Sequence, residues 1–301
     1  MADEAAPPAL PLPDATIVFI RHGESTWIQE GRFQGQGDPP LSELGRRQAE
    51  LVGGRLADPL AIPQLPVPTG SPVGVWHSPL TRARETAAII ARARPGGDGV
   101  RLRPFPEFLE IGQGEWEGLP HAEVAARYGP QLAAWRRSPT TAWAPGGESL
   151  QEVGVRVRRG LVTLLGELGR GYEPPAVDAM PPSRVLGYAG VPEPARDLAD
   201  GDTPPASSGA DRAYAAGPPP AVPWAIVVAH DGVMRLALMT LLDLPFERFW
   251  SFPFALCAIG VLDLRGGVPS VRAHNLADHL APLEHQSRAA AEARGDRTGA
   301  L

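Results

Sequence analysis

Residues 16–20 (TIVFI) are apolar without a break and mostly β-branched. A strand covered by helices on both faces reads this way, because neither face meets water. Residues 73–77 read as a second strand, and the apolar run returns at 224–229 (WAIVVA). Helical periodicity fills the intervals. One helix is expected over 41–56, with Ser42 near its start. A second is expected from Ser78-Pro79, read as an N-cap followed by proline at the first helical position, to about residue 93. Ser149 and Glu152 have capping-box spacing ahead of a long helix whose Val153, Val157, Leu161, Leu164, Leu165 and Leu168 share one face. A further helix is expected over 232–242. Residues 257–264 and 268–273 read as a hairpin turning at Gly266-Gly267. This alternation predicts an α/β fold: a three-layer α/β/α sandwich with a mostly parallel sheet and antiparallel additions at an edge.

The pattern fails in three places. Residues 1–14 are rich in Ala and Pro and read as a disordered extension. Residues 173–222 carry Pro pairs, a PPP run and SSG with little apolar periodicity. Such a stretch cannot bury enough surface to offset its chain entropy and reads as a disordered insert or a lid. The polar tail at 284–301 reads as flexible. One domain over 15–283, interrupted by the insert, accounts for the rest of the 301 residues.

Composition narrows the class. The net charge of −6 is opposite to that of most nucleic-acid binders, so no nucleic-acid partner is expected. All 28 basic residues are Arg, as a GC-rich bacterial genome produces, which leaves no amine for Schiff-base chemistry. Cys257, the single cysteine, sits in an apolar run and reads as a buried small hydrophobe. The N-terminus lacks the basic start and apolar stretch of a signal peptide, and no run is long enough to span a membrane. A cytoplasmic protein without a membrane partner is expected.

His22 follows the first strand and His230 the third. In an open α/β sheet ligands bind beyond the carboxyl ends of the strands, so both imidazoles should reach one crevice. The centre of the chemistry is Arg21-His22-Gly23-Glu24-Ser25. Gly23 allows close backbone approach to a ligand. Arg21 offers a planar cationic fork suited to phosphate, and a neutral His22 can attack phosphorus. Arg82, expected in the first turns of the second helix, supplies another fork. A phosphoryl transition state spreads charge over its equatorial oxygens, which is what fixed cations would neutralise. The remaining histidines, His77, His121, His274, His279 and His285, lack metal-site spacing, so no metal and no cofactor are expected. Trp116 and Trp143 are candidates for a pocket wall or for core. Arg136-Arg137 read as a solvated helix end, with contact to an acidic substrate as the alternative.

These segments resemble the histidine phosphatase superfamily, the phosphoglycerate-mutase-like group. The motifs are RHGEST (21–26), GRFQGQGDPPLSELGRRQA (31–49), SPLTRARETA (78–87), FLEIGQGEWEG (108–118), PGGES (145–149) and AHDGVMR (229–235), in family order. The resemblance implies that His22 is the nucleophile, that Arg21, Arg82 and His230 form the phosphate pocket, and that Glu110 is the proton donor. It places Ser25, Gln34 and Gly35 at phosphate- or substrate-contacting positions. Glu107, Glu115 and Glu117 are neighbouring carboxylates that periodicity alone does not exclude. Two positions depart from the pattern. Ile28 stands where many relatives have Asn, which removes an amide donor near the phosphate. Asp231 stands where relatives often have Gly, and a carboxylate beside a dianion is unfavourable unless it points away or holds an Arg.

The expected function is a metal-independent phosphatase acting on a small phosphorylated metabolite through a phosphohistidine. A cofactor-dependent phosphoglycerate mutase uses the same groups. A non-catalytic phosphate-binding scaffold is the third reading, although no catalytic residue is missing. A homodimer is compatible with the sequence.

Overall fold

The computed structural model describes residues 10–68, 70–94, 100–170 and 222–283. Residues 1–9, the tail at 284–301 and all of the expected insert except the buried Val222 lie outside them. Residues 10–14, expected in the N-terminal extension, lie against the fold. Leu10 and Leu12 pack on the core, and Asp14 accepts a hydrogen bond from Gly266 N at 2.7 Å.

Six strands form one sheet: β1 (Ala15–Arg21), β2 (Gly74–His77), β3 (Leu102–Pro104), β4 (Trp224–Ala229), β5 (Ile259–Arg265) and β6 (Val268–Leu276). Their order is β3-β2-β4-β1-β5-β6. The first four run parallel, and β5 and β6 add antiparallel strands at the β1 edge. The β5–β6 turn has positive φ at Gly266 (55°) and Gly267 (77°), the backbone a two-residue hairpin of this kind requires.

Helices cover both faces, which explains the unbroken apolar runs. Ile17 and Phe19 of β1, with Ala225 and Val227 of β4, face α5 (Leu150–Leu168) and α6 (Asp231–Leu241). Val18, Ile20, Ile226 and Val228 face the other way, onto α2 (Glu43–Ala57) and α3 (Thr81–Ala93). The expected three-layer α/β sandwich is the observed architecture. Burying both faces supplies most of the driving force, at roughly 25 cal/mol per Å² of apolar surface.

Several boundaries match their chemistry. Ser42 caps α2 through Gly45 N, and Ser149 with Glu152 forms the expected capping box of α5. The start of α3 is a correction. Its first helical residue is Thr81, and neither Ser78 nor Pro79 begins it. The N-cap residue Leu80 has no capping side chain, and Asp38 takes that role from 43 residues away, accepting from Thr81 N at 2.5 Å and Thr81 Oγ1 at 2.8 Å. The short β3 had no counterpart in the pattern, and of α4 (His121–Arg137), kinked at Tyr128 ahead of Pro130, only the end at Arg136-Arg137 had one. A four-residue α1 (Thr26–Gln29) starts at Ser25, whose side chain caps it.

Candidate active site

The sheet brings the two histidines together. β1 and β4 are parallel neighbours with Arg21 opposite Ala229, so the next residues, His22 and His230, leave the sheet side by side. His22 N donates to Ala229 O at 3.0 Å, and the two rings lie 5.0 Å apart between centroids. Both are buried. Gly23 lets α2 pass directly beneath: a Cβ there would sit 2.4 Å from Gly45 O.

The His22 ring is oriented by its own backbone. Nδ1 lies 2.6 Å from Gly23 O, and a carbonyl can only accept, so Nδ1 carries the proton. Nε2 is then left with its lone pair, and Arg82 Nε approaches it to 3.3 Å. Burial pushes the His22 pKa well below its ordinary value, and Arg82 and Arg21 push in the same direction, so the ring is neutral. His230 is lowered as well, first by burial and then by Arg82, the neighbouring His22 ring, Arg21 and Arg156. Neither of its ring nitrogens has a hydrogen-bond partner among the described residues.

Arg82 is fully buried, and burial lowers its pKa to about 10, so it stays cationic at neutral pH. Its fork is held by two carbonyls, Gly37 O at 2.7 Å and Gly35 O at 2.8 Å. Gly35 adopts φ +50°, and a side chain there would strike the Glu117 carboxyl. Ser25 and Gln34 bind each other, Oγ to Oε1 at 2.5 Å. Arg21 is partly exposed. Its Nη1 donates to Phe254 O at 2.7 Å, and its Nε is buried without a partner among the described residues.

Glu110 arrives from the loop after β3. Its carboxylate sits over the N-terminus of α6, accepting from Val233 N (3.1 Å), Gly232 N (3.3 Å) and its neighbour Ile111 N (2.9 Å). Those amides favour the charged form. Desolvation outweighs them and raises the Glu110 pKa, with a further push from the Asp231 charge. The residue keeps part of its surface in contact with solvent while its carboxyl end is buried. Two of the neighbouring carboxylates have partners of their own. Glu115 is exposed and accepts from Tyr128 OH, and Glu117 accepts from Gln36 N and Gln113 N.

Motif reading missed what holds Glu110. Arg156 of α5 donates to Glu107 O (2.9 Å), Leu109 O (2.6 Å) and Glu110 O (2.9 Å), and pairs with Glu148 at 2.9 Å. Gln36 joins Glu110 O (3.1 Å) to Glu148 (3.0 Å). Arg156 lies beside the apolar face of α5, in a run that also holds Arg158 and Arg159, so the local pattern does not single it out.

Other candidates resolve simply. Trp116 is core, against Phe33, while Trp143 is exposed. Arg136 and Arg137 are exposed in the last turn of α4, as a solvated helix end should be. Ile28 contributes its backbone N–H to Ser25 Oγ at 3.2 Å. Asp231 holds an Arg, gripping Arg235 through both oxygens at 2.9 and 2.8 Å.

Residues 17–171 and 212–277 match the model of the histidine phosphatase superfamily, branch 1. The chain belongs to this superfamily. Among curated superfamily relatives, phosphoserine phosphatase 1 of Hydrogenobacter thermophilus is 35% identical over 142 residues, 47% of this chain and 60% of that protein. The 2,3-bisphosphoglycerate-dependent phosphoglycerate mutase 2 of Gloeobacter violaceus is 37% identical over 147 residues, 48% of this chain and 61% of that protein. The chain thus spans about 60% of the length of these relatives. The solved structure of Bacillus stearothermophilus YhfR superposes with a TM-score of 0.61 at 21% identity, covering 88% of this chain and 99% of that one, and so shares its fold.

Proposed function

We propose that this protein is a phosphomonoesterase for a small phosphorylated metabolite, working through a phosphohistidine on His22. The observation that carries the reading is the His22 ring: neutral, protonated on Nδ1, with the Nε2 lone pair turned toward Arg82 in a buried pocket beside His230.

In the first step Nε2 attacks phosphorus and the ester P–O bond breaks. The leaving oxygen takes the proton of Glu110, whose desolvated carboxyl holds it to higher pH than an ordinary carboxylate does. Arg82 and Arg21 neutralise the charge on the equatorial oxygens, and the neutral His230 ring donates a hydrogen bond to one of them. The Gly23 carbonyl stabilises the phosphorylated ring through Nδ1–H. In the second step water attacks phosphorus, Glu110 carboxylate takes its proton, and the P–N bond breaks. Phosphate leaves, with neutral His22 and protonated Glu110 restored. These side chains supply the whole charge balance, so no metal or organic cofactor enters the scheme. A cytoplasmic setting belongs to the same proposal, with Cys257 buried and its thiol pushed up to the protonated form.

A mutase is the second reading, favoured by the Gloeobacter relative. The LEIGQGEWEG segment resembles phosphatases, and Arg136-Arg137 lie exposed instead of joining Arg21 and Arg82. Free phosphate and interconversion of 2- and 3-phosphoglycerate, measured on one sample with and without a bisphosphorylated primer, separate the two. Phosphate release should exceed interconversion greatly. Primer-stimulated interconversion faster than release would give the case to the mutase.

A further inference from the structure

Asp231 is the departure that the catalytic scheme leaves unused. It is the first residue of α6, directly after His230, and its carboxylate has three hydrogen-bond donors. Arg235, one turn on, supplies Nε to Oδ1 and Nη2 to Oδ2. The third donor comes from another element: Phe254 N reaches Oδ1 at 2.9 Å. Phe254 is the residue whose carbonyl accepts from Arg21 Nη1 at 2.7 Å. A single residue's two main-chain groups thus join the carboxylate to the phosphate-pocket guanidinium.

The chain is fixed at each link. Arg235 is nearly buried and also donates to Phe249 O at 3.0 Å, with its guanidinium over the rings of Phe249 (5.4 Å) and Trp250 (5.2 Å). The Phe254 ring is core. Beyond it, Cys257 N donates to Arg21 O at 3.0 Å, so the loop is tied to both ends of Arg21. Arg21 needs such support because it stands at the sheet end, and Phe254 O is the acceptor that holds its fork.

We propose that Asp231 is a positioning residue for Arg21, acting through the main chain of Phe254, so that the phosphate-binding fork is preset by a carboxylate that does not itself touch phosphate. Arg235 pairs with that carboxylate, which offsets part of the repulsion a bare Asp would exert on a dianion. Breaking the chain frees the Phe254 segment and, with it, the Arg21 side chain, whose freedom must then be lost on binding.

The inference rests on the phosphatase reading only in taking the pocket to bind phosphate. Its test is therefore a binding measurement. Calorimetric titration of the full chain with inorganic phosphate is run on wild type, D231A, R21M and D231A/R21M. D231A should raise the phosphate Kd roughly tenfold, the loss expected for a broken charge-assisted hydrogen-bond chain. In the R21M background the same change should cost less than about twofold, because the residue it positions is gone. An equal loss in both backgrounds would mean that Asp231 acts generally on the fold, and no loss in either would mean that it does nothing for phosphate; each overturns the inference. Should D231A fail to fold because Arg235 is left buried and unpaired, the same cycle on D231A/R235M removes that charge and carries the same expectations. A wild type that binds no phosphate overturns the pocket assignment together with this inference, whereas wild-type binding that D231A leaves intact overturns this inference alone.

Discussion

At the scale of single residues, burial decides which protonation state each group holds. Desolvation moves His22 down and Glu110 up, and the directions suit a neutral nucleophile beside a protonated acid. For kcat/KM the acid limb should therefore lie below the ordinary imidazole value of 6.5, and the alkaline limb above the ordinary carboxylate value of 4.5. Glu110→Gln should remove the alkaline limb and lower kcat/KM about 10²- to 10⁴-fold on an alkyl phosphate, whose leaving alcohol needs the proton. An unchanged alkaline limb in that variant would exclude Glu110 as the acid. The same shifts bear on stability. His22 and His230 bind a proton less readily folded than unfolded, so stability should fall as pH drops from about 6.5 toward their depressed folded values. Two such groups contribute at most about 2.7 kcal/mol per pH unit within that window. Glu110 works oppositely: its raised folded pKa gives stability below pH 4.5 that is lost as pH rises through the folded value. Urea unfolding between pH 7 and 5 checks the histidine contribution. The double variant H22N/H230N should lose less stability over this range than wild type, and parallel curves would contradict the assignment.

At the scale of elements, sequence showed where an element lies better than what starts it. The capping box at Ser149 and Glu152 is local, both halves lie within one turn, and it was readable. The start of α3 was not, because its cap is Asp38, far away in sequence and set beside Thr81 only by folding. A good local substitute, Ser78-Pro79, stood in the way: Ser78 Oγ does face Leu80 N, but at 3.4 Å. The trans cap also adjoins the proposed site, since the neighbouring carbonyl of Gly37 holds Arg82. Asp38→Ala should cost about 1 kcal/mol, the usual worth of a side-chain cap. It should also lower kcat/KM, with Asp38→Asn recovering most of both because one acceptor remains. A denaturation midpoint unmoved by Asp38→Ala would show that the contact does not stabilise α3. The β3 strand and the body of α4 are not legible in the sequence for a different reason. β3 has three residues with little burial, and the Pro130 kink breaks the periodicity of α4.

At the scale of the whole molecule, the catalytic proposal depends on pairings that no local pattern contains. Strands β1 and β4 are separated by most of the chain yet lie side by side, and only their register makes neighbours of His22 and His230. The layered architecture was legible because apolar runs and amphipathic helices state how many faces need covering. The strand order was not, because β-branched runs of equal hydrophobicity can pair in several ways. Glu110 was named from its motif, whereas the reason its carboxyl is buried, a seat on the amides of α6 with Arg156 clamping its loop, is purely tertiary. All of this converges on one chemical claim, a covalent phosphoryl group on Nε2 of His22. The direct measurement is rapid acid- and base-quench of enzyme mixed with a ³²P-labelled phosphate ester, followed by peptide mapping. The account predicts label on the peptide containing His22, stable to base and lost in acid as a phosphoramidate is, and absent from His22→Ala, whose turnover falls at least roughly 10³-fold. Turnover by His22→Ala close to that of the wild type, or wild-type turnover without label on His22 under conditions that trap the intermediate, would contradict it.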